Sequence, residues 1–192
     1  HEVEVGHHPE GVTFLGDSHE LAVAVYGDDV IRCLNADSGE VTWSLDVFDE
    51  PYGIVSSADG TKLFATLEYP GQVIAIDPKA QSITDTWEAG KLVRGICLNP
   101  DESQVIVTEY TTGIARSLST QNGEAMREWV GSEQDSLARQ IVAHPLLDKL
   151  YMPHQRSRTT VAHGAGSIFP YVAVLDTNLE ADAVRKRVQM DS

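Results

Sequence analysis

The amino-acid sequence predicts an all-β fold, a β-propeller with four four-stranded blades in this chain of 192 residues. Three observations predict it: a repeat of 42 residues, four short β-type runs in each repeat, and turn residues between these runs. No stretch shows a helical period with capping residues. Hydrophobic residues make up 42% of the chain, which is enough apolar material for a packed core.

The repeat is marked by glycines in predicted inner strands and by aspartates in predicted turns. These residues are Gly11, Gly53, Gly95, Asp17, Asp59 and Asp101, and each set recurs every 42 positions. A fourth, diverged copy begins at Ala138 and has Asp148 as its turn aspartate. The predicted blades are residues 7–48, 49–90, 91–134 and 135–192.

The second repeat shows the order of the elements most clearly. Its β-type runs are residues 53–56, 63–67, 73–76 and 83–87. Turn residues follow the first three runs, at positions 58–60, 69–71 and 77–79. The other repeats follow the same order, which predicts four antiparallel strands in each blade.

The number of strands indicates a ring larger than these four blades. Residues 1–6 are predicted to be an outer strand. Because residues 184–188 already supply an outer strand for the fourth blade, residues 1–6 are assigned to a preceding blade. An open set of blades would expose apolar faces and edges. We therefore expect further blades as partners, supplied by another chain or by sequence not included here.

Charge and cysteine usage exclude several classes of function. The net charge of −15 disfavours nucleic acid and anionic membrane surfaces as partners. This acidity lies in residues 1–138, because residues 139–192 carry seven basic and five acidic side chains. The sequence has no apolar run long enough for a membrane span. It also has no CxxCH haem motif, so we expect no cofactor in this chain apart from the metal ion considered below. Cys33 and Cys97 are predicted to be core residues.

Two groups of motifs resemble known families. Residues 5–12, 57–64 and 73–77 resemble the WD40-like YVTN-type propeller repeats of bacterial and archaeal secreted or surface proteins. The segments 138–145, 150–157 and 169–176 resemble the part of such propellers that is joined to cytochrome c peroxidase-like di-haem domains. The resemblance implies a ring of about seven blades, a periplasmic or extracellular prokaryotic protein, and a cytochrome-type partner. Electron-transfer chemistry does not carry over, since the chain has no haem motif.

A binding site is predicted where the inner strands of a propeller enter the channel, beside the connections between second and third strands. The candidate ligand-binding residues are Tyr52, Glu68, Arg94, Glu109, Arg139, His154, Arg156 and Arg158. The loop 155–170 receives most weight because the first three repeats have much shorter connections there. Guanidinium groups suit a carboxylate or a phosphate. The alternative is that they pair with Glu68, Glu109 and other acids.

Metal binding and catalysis are weaker hypotheses. His154 and His163 are the metal candidates, without HxH or HExxH spacing to support them, and ordinary hydrogen-bonded histidines are the alternative. Glu68 and Glu109 would hold a divalent ion if the channel were lactonase-like. The leading hypothesis is a non-catalytic binding or assembly module of an exported, redox-linked protein, which binds a partner protein or a small anion. An enzyme or a copper or calcium site in the channel is the alternative.

Overall fold

The computed structural model describes residues 2–158, 167–177 and 186–190, with the backbone alone for Arg158 and Ser167. These residues form β-strands and one short 3-10 turn, Tyr26–Asp28, and include no α-helix. The chain has two compact units, His1–Ile96 and Cys97–Ser192. None of the described residues forms a helix with the length and hydropathy needed to cross a bilayer.

The first three blades each contain four strands, in the sheet order that the repeats predicted. The first blade consists of β1 (Pro9–Phe14), β2 (Glu20–Val25), β3 (Val30–Asn35) and β4 (Val41–Asp46). The second consists of β5 (Pro51–Ser56), β6 (Leu63–Leu67), β7 (Gln72–Asp77) and β8 (Ser82–Glu88). The third consists of β9 (Val93–Leu98), β10 (Gln104–Glu109), β11 (Ala115–Ser119) and β12 (Ala125–Trp129). This confirms the all-β fold class with four-stranded blades.

The fourth blade has four strand positions in its sheet, and two short strands share the innermost position. Its strands are β13 (Asp135–Ser136), β14 (Val142–Ala143), β15 (Lys149–Arg158), β16 (Ser167–Asp176) and β17 (Lys186–Gln189). Both β13 and β14 pair with β15. The sequence predicted one inner strand starting at Ala138, but in that segment the strand paired with β15 is limited to Val142–Ala143. Leu137 has a left-handed φ of 59° just before the segment, as Glu50 and Leu92 have before β5 and β9.

The hairpin of the fourth blade is longer than the sequence predicted. Residues 155–158 and 167–170 were assigned to the loop 155–170, whereas the structure pairs Gln155 with Pro170 and Arg158 with Ser167. Residues 159–166 lie outside the described residues. Residues 2–6 belong to no strand in the described part of the chain, so their assignment to the outer strand of a preceding blade stays a prediction.

Two of the repeated aspartates, Asp59 and Asp101, organise the turns after the inner strands of the second and third blades. Asp59 accepts hydrogen bonds from the Ser57 hydroxyl (2.6 Å), the Thr61 amide (3.0 Å) and the Thr61 hydroxyl (2.8 Å). These bonds lower the pKa of Asp59 to about 2. Asp101 accepts bonds from the amide and hydroxyl of Ser103 in the same way. The 42-residue interval of aspartate therefore reflects its ability to close this turn.

The core of the first unit joins the facing surfaces of two blades. The first blade contributes Ala22, Ala24, Ile31, Cys33 and Trp43, and the second contributes Ile54, Leu63, Ala65, Leu67, Ile74 and Ile76.

As predicted, Cys33 and Cys97 are buried free thiols. Burial raises the pKa of each to about 12, so both are protonated at neutral pH.

The repeated glycines permit inner strands to approach one another closely. A Cβ atom on Gly11 would lie 2.5 Å from the Tyr52 carbonyl oxygen, and one on Gly53 would lie 2.3 Å from the Arg94 carbonyl oxygen. Thr66 reinforces the second contact, because its hydroxyl donates to the Arg94 carbonyl and accepts from the Gly53 amide, both at 2.8 Å. Only glycine fits these positions without moving the backbone.

Gly53→Ala tests this constraint. We expect a loss of about 1–3 kcal/mol in the free energy of unfolding, because the new methyl group would force the Arg94 carbonyl away from Thr66. Urea denaturation measures the change. Thr86→Ala on the exposed side of β8 is the control and should change stability by less than about 0.5 kcal/mol. Equal stability of the two variants would contradict the role assigned to Gly53.

Candidate functional site

Three of the predicted site residues meet in the first unit. Arg94, on β9, donates from Nε and Nη2 to the two carboxylate oxygens of Glu68, both at 2.9 Å. Its guanidinium carbon lies 4.6 Å from the centre of the Tyr52 ring. Glu68 directly follows β6 and Tyr52 lies on β5, so strand ends bring the group together. The structure thus shows the internal ion pair that was the alternative to anion binding for Arg94.

Tyr26 extends this cluster and was not singled out from the sequence. Its ring meets that of Tyr52 edge to face, with centres 6.2 Å apart. Burial, a hydrogen bond with Glu50 and the charge of Glu68 raise the pKa of Tyr26 above its usual range. The repeat contained a usable signal, because Tyr26 lies 42 residues before Glu68.

The corresponding residues of the third blade are arranged differently. Glu109 binds Arg116 of its own sheet and accepts a 2.6 Å bond from the Thr112 hydroxyl. Arg139 lies with its guanidinium carbon 5.4 Å from the centre of the Tyr110 ring and donates to the Tyr110 hydroxyl at 3.3 Å. Arg116 is therefore a partner of Glu109 that sequence analysis missed.

A buried ionic cluster joins β13, β15 and β17 of the fourth blade. The Asp135 side chain has no exposed surface, and its Oδ2 accepts hydrogen bonds from Arg187 (2.5 Å) and from the Ser132 amide (2.9 Å). His154 Nε2 lies 3.5 Å and Arg156 Nε 4.0 Å from Asp135 Oδ1. Burial opposes ionisation of Asp135, but the bonds from Ser132 and Arg187 outweigh it and lower its pKa.

This cluster includes residues that the sequence placed elsewhere in its predictions. Arg187, in the predicted outer strand 184–188, is the direct partner of buried Asp135. His154, a predicted metal ligand, is buried beside Asp135 and stacks on Tyr171 with ring centres 5.9 Å apart. His163 and the Arg158 side chain lie outside the described residues. Among the residues that are described, no three His, Cys, Asp or Glu side chains are grouped as metal ligands would be.

A groove of about 410 Å³ crosses the fourth blade above this cluster. It is lined by Leu137, Arg139, Pro153, His154, Gln155, Pro170, Tyr171, Val172 and Met190. We call it the fourth-blade groove. Two predicted site residues, Arg139 and His154, line it, and Arg156 is held next to it by a 3.2 Å bond to Gln134. The groove combines apolar walls with a guanidinium group, an imidazole and an amide.

Comparison of the sequence with known proteins finds no matching family model and a partial match to one relative. Antigen Lp49 of Leptospira interrogans serogroup Icterohaemorrhagiae serovar copenhageni (strain Fiocruz L1-130) is 27% identical over 85 residues, which cover 37% of this chain and 19% of the antigen. The chain therefore matches only about a fifth of that relative's length.

Several solved structures match a much larger share of the chain. Hydrazine synthase of Kuenenia stuttgartiensis matches 99% of this chain and 68% of its own, with a TM-score of 0.68 and 15% identity. The Cps50 (Swd1) β-propeller domain of Myceliophteria thermophila matches 75% of this chain and 49% of its own, with a TM-score of 0.61 and 10% identity. The chain has a β-propeller fold. The structure of U3-55K also matches, over 90% of this chain and 62% of its own, with a TM-score of 0.65 and 8% identity. At such identities the likeness shows the fold alone.

Asp135→Asn tests the buried cluster. We expect a loss of about 3 kcal/mol at pH 7, because the substitution leaves Arg187 without its buried counter-charge. The folded pKa of Asp135 is lowered, so its stabilisation is complete above the unfolded value of about 3.9 and is lost as the pH falls through the folded value. Denaturation at pH 7 and at pH 3 should therefore show a smaller loss in acid.

The control for this experiment is Glu124→Gln, which removes an exposed acid from a turn of the third blade. This variant should retain wild-type stability at both pH values. An equal loss for Asp135→Asn at pH 7 and at pH 3 would show that the charge of Asp135 is not what stabilises the cluster.

Proposed function

We propose that this chain is a non-catalytic β-propeller binding module, and that the fourth-blade groove binds a segment of a partner protein. The observation that carries the proposal is the composition of the groove walls: apolar Pro153, Val172 and Met190 lie beside exposed Arg139. Aromatic residues, methionine and arginine are enriched in protein interfaces. The segment that best fits these walls carries an apolar side chain next to an acidic group.

The arrangement of the arginines favours such a segment over a free multivalent anion. Arg94 is bound to Glu68, and Arg187 is bound to Asp135. Arg139 is the single arginine or lysine that lines the described groove. One guanidinium group beside an apolar surface can bind one carboxylate, whereas a phosphate site usually gathers several donors.

The narrower proposal is that the module is exported to the periplasm or cell exterior and is linked to redox chemistry through a cytochrome-type partner. It rests on the YVTN-type motifs and on the likeness of residues 138–176 to propellers joined to di-haem domains. Part of that region forms β15 and β16, which border the groove. The name of the Leptospira relative, an antigen, suits an exported protein.

Binding of the dye 8-anilinonaphthalene-1-sulfonate tests the chemistry of the groove. This probe has an apolar aromatic body and one sulfonate, so it resembles the proposed ligand. We expect saturable, salt-sensitive binding to the full chain, weakened about three- to tenfold by Arg139→Gln. Fluorescence titration at two salt concentrations measures both effects.

Lys79→Gln is the matched control because it removes one positive charge from an exposed turn of the second blade. Its affinity for the dye should equal that of the wild type. If Arg139→Gln and Lys79→Gln have the same affinity, the groove is not the binding site.

Purification of the tagged chain from its native host tests the redox link. We expect the chain in the exported fraction, together with a separate polypeptide that shows c-type haem absorption. Intact-mass measurement should find no haem attached to the chain itself, since it has no CxxCH motif. Recovery from the cytoplasm, or without a haem protein, would contradict this part of the proposal. Stoichiometric copper or calcium in the purified chain would instead favour the metal-site alternative.

A further inference from the structure

The turn between β14 and β15 differs from the turns that follow the inner strands of the second and third blades. The pair His144–Pro145 corresponds to Asn99–Pro100 in the third blade. The first residue of each pair donates its backbone amide to the carbonyl five residues later, at 2.8 and 3.1 Å. Leu146 then stands where the third blade has Asp101, so an apolar residue replaces the aspartate that closes that turn.

The His144 imidazole supplies an acceptor for this turn. Its Nδ1 atom accepts hydrogen bonds from the backbone amides of Leu146 (3.0 Å) and Leu147 (3.1 Å). A backbone amide donates and does not accept through its nitrogen, so Nδ1 carries no hydrogen in this arrangement. The closed turn therefore contains a neutral imidazole whose proton lies on Nε2.

The same pattern occurs in two other turns with different acceptors. Oδ1 of Asn35 accepts from the amides two and three residues further along the chain, at 3.0 and 2.9 Å. Oδ1 of Asp77 does the same, at 2.8 and 2.9 Å. Nδ1 of histidine and Oδ1 of these residues are equally many bonds from Cα, so they reach the same amides. Protonation distinguishes them, because imidazole groups take up a proton at about pH 6.5 in peptides and aspartate carboxylates at about pH 3.9.

The titratable and charged groups near His144 lie in its own turn and on β15 and β16. Tyr151 of β15 faces the imidazole, with ring centres 6.4 Å apart. Lys149, at the start of β15, binds Asp176 of β16. Asp148, the predicted turn aspartate, is exposed in the turn itself. The side chain of this region whose charge changes between neutral and mildly acidic pH is therefore His144.

Two features allow this turn to open without the rest of the blade. β14 pairs with β15 through Val142 and Ala143 alone. Leu146 is 87% and Leu147 is 53% exposed, so neither side chain anchors the turn in the core. Short pairing and exposed side chains are typical of segments that open locally at low cost in free energy.

We propose that the turn between β14 and β15 is an acid-sensitive switch: neutral His144 holds it closed, and protonation of His144 releases the amides of Leu146 and Leu147. A proton on Nδ1 removes the acceptor of both hydrogen bonds, so the bonds are present at neutral pH and are lost as the pH falls. Opening frees two exposed leucines at this end of the fourth blade. The switch stands or falls separately from the fourth-blade groove, whose walls do not include these residues.

Amide hydrogen exchange of the full chain, measured by NMR at pH 7.5 and at pH 5.5, tests the proposal. The protection factor of each amide corrects for the direct effect of pH on exchange. We expect the protection of the Leu146 and Leu147 amides to fall at least fivefold in acid. The amides of Lys79 and Ala80, which donate to Asp77, are the internal control and should change less than twofold. Equal changes in the two turns would overturn the proposal.

His144→Asn tests whether the imidazole is the group responsible. The asparagine oxygen can accept from the same amides, as Asn35 does, and it does not titrate in this range. Protection of the Leu146 and Leu147 amides should therefore be the same at both pH values. The matched control is His19→Asn, which removes an exposed histidine of the first blade and should keep the wild-type pH dependence. A pH dependence that persists in His144→Asn would refute the switch.

A measurement on the wild-type chain covers the case in which His144→Asn does not fold, which thermal unfolding reveals. Long-range proton–nitrogen NMR spectra identify the ring nitrogen that carries the hydrogen. At pH 7.5 we expect the hydrogen of His144 on Nε2, with Nδ1 as a bare acceptor, and at pH 5.5 a hydrogen on both nitrogens. A hydrogen on Nδ1 at pH 7.5, or no change between the two pH values, would overturn the proposal.

Discussion

Close approach of successive inner strands is the constraint on which the first unit depends. Gly11 and Gly53 lie against the carbonyl oxygens of the next blade, at distances that admit no Cβ atom. This contact sets the spacing at which Ile31 and Trp43 of one sheet can pack on Ile54 of the next. The 42-residue period of glycine therefore reflects a packing requirement of the backbone.

The second unit shows what happens where this constraint is relaxed. Gln140 stands in the fourth repeat where the third has Gly95, and the inner strand is divided into β13 and β14. The residues between these strands contribute Leu137 and Arg139 to a groove. Buried Asp135 supports the same region by holding Arg187 of β17. The loss of regular repeat geometry and the fourth-blade groove therefore occur in the same region.

Most of the strands could be predicted from the sequence because their signals are local. Alternation of apolar residues and the turn residues between strands act over a few positions, and the first three blades have the four strands that these patterns predict. Pairing of Arg94 with Glu68 was one of the alternatives that the sequence offered, but the other partners of the charged groups could not be predicted. Arg187 binds Asp135, which lies 52 positions away, and Arg116 binds Glu109, because cross-strand register decides which of several arginines reaches a carboxylate.

The sequence by itself determined the fold class and the repeat length, since the alternation of apolar residues and the turn residues act over short stretches of the chain. The repeat also marked Gly11 and Gly53, although the reason that they must be glycine is a contact with the next blade. Tertiary structure alone decided which arginines are neutralised and which side chains line the groove. It also decided that Val12 and Phe14 are exposed whereas Ile54 is covered. These properties depend on distances between strands remote in sequence, and on which faces of a blade have a neighbour, and a local pattern carries neither kind of information.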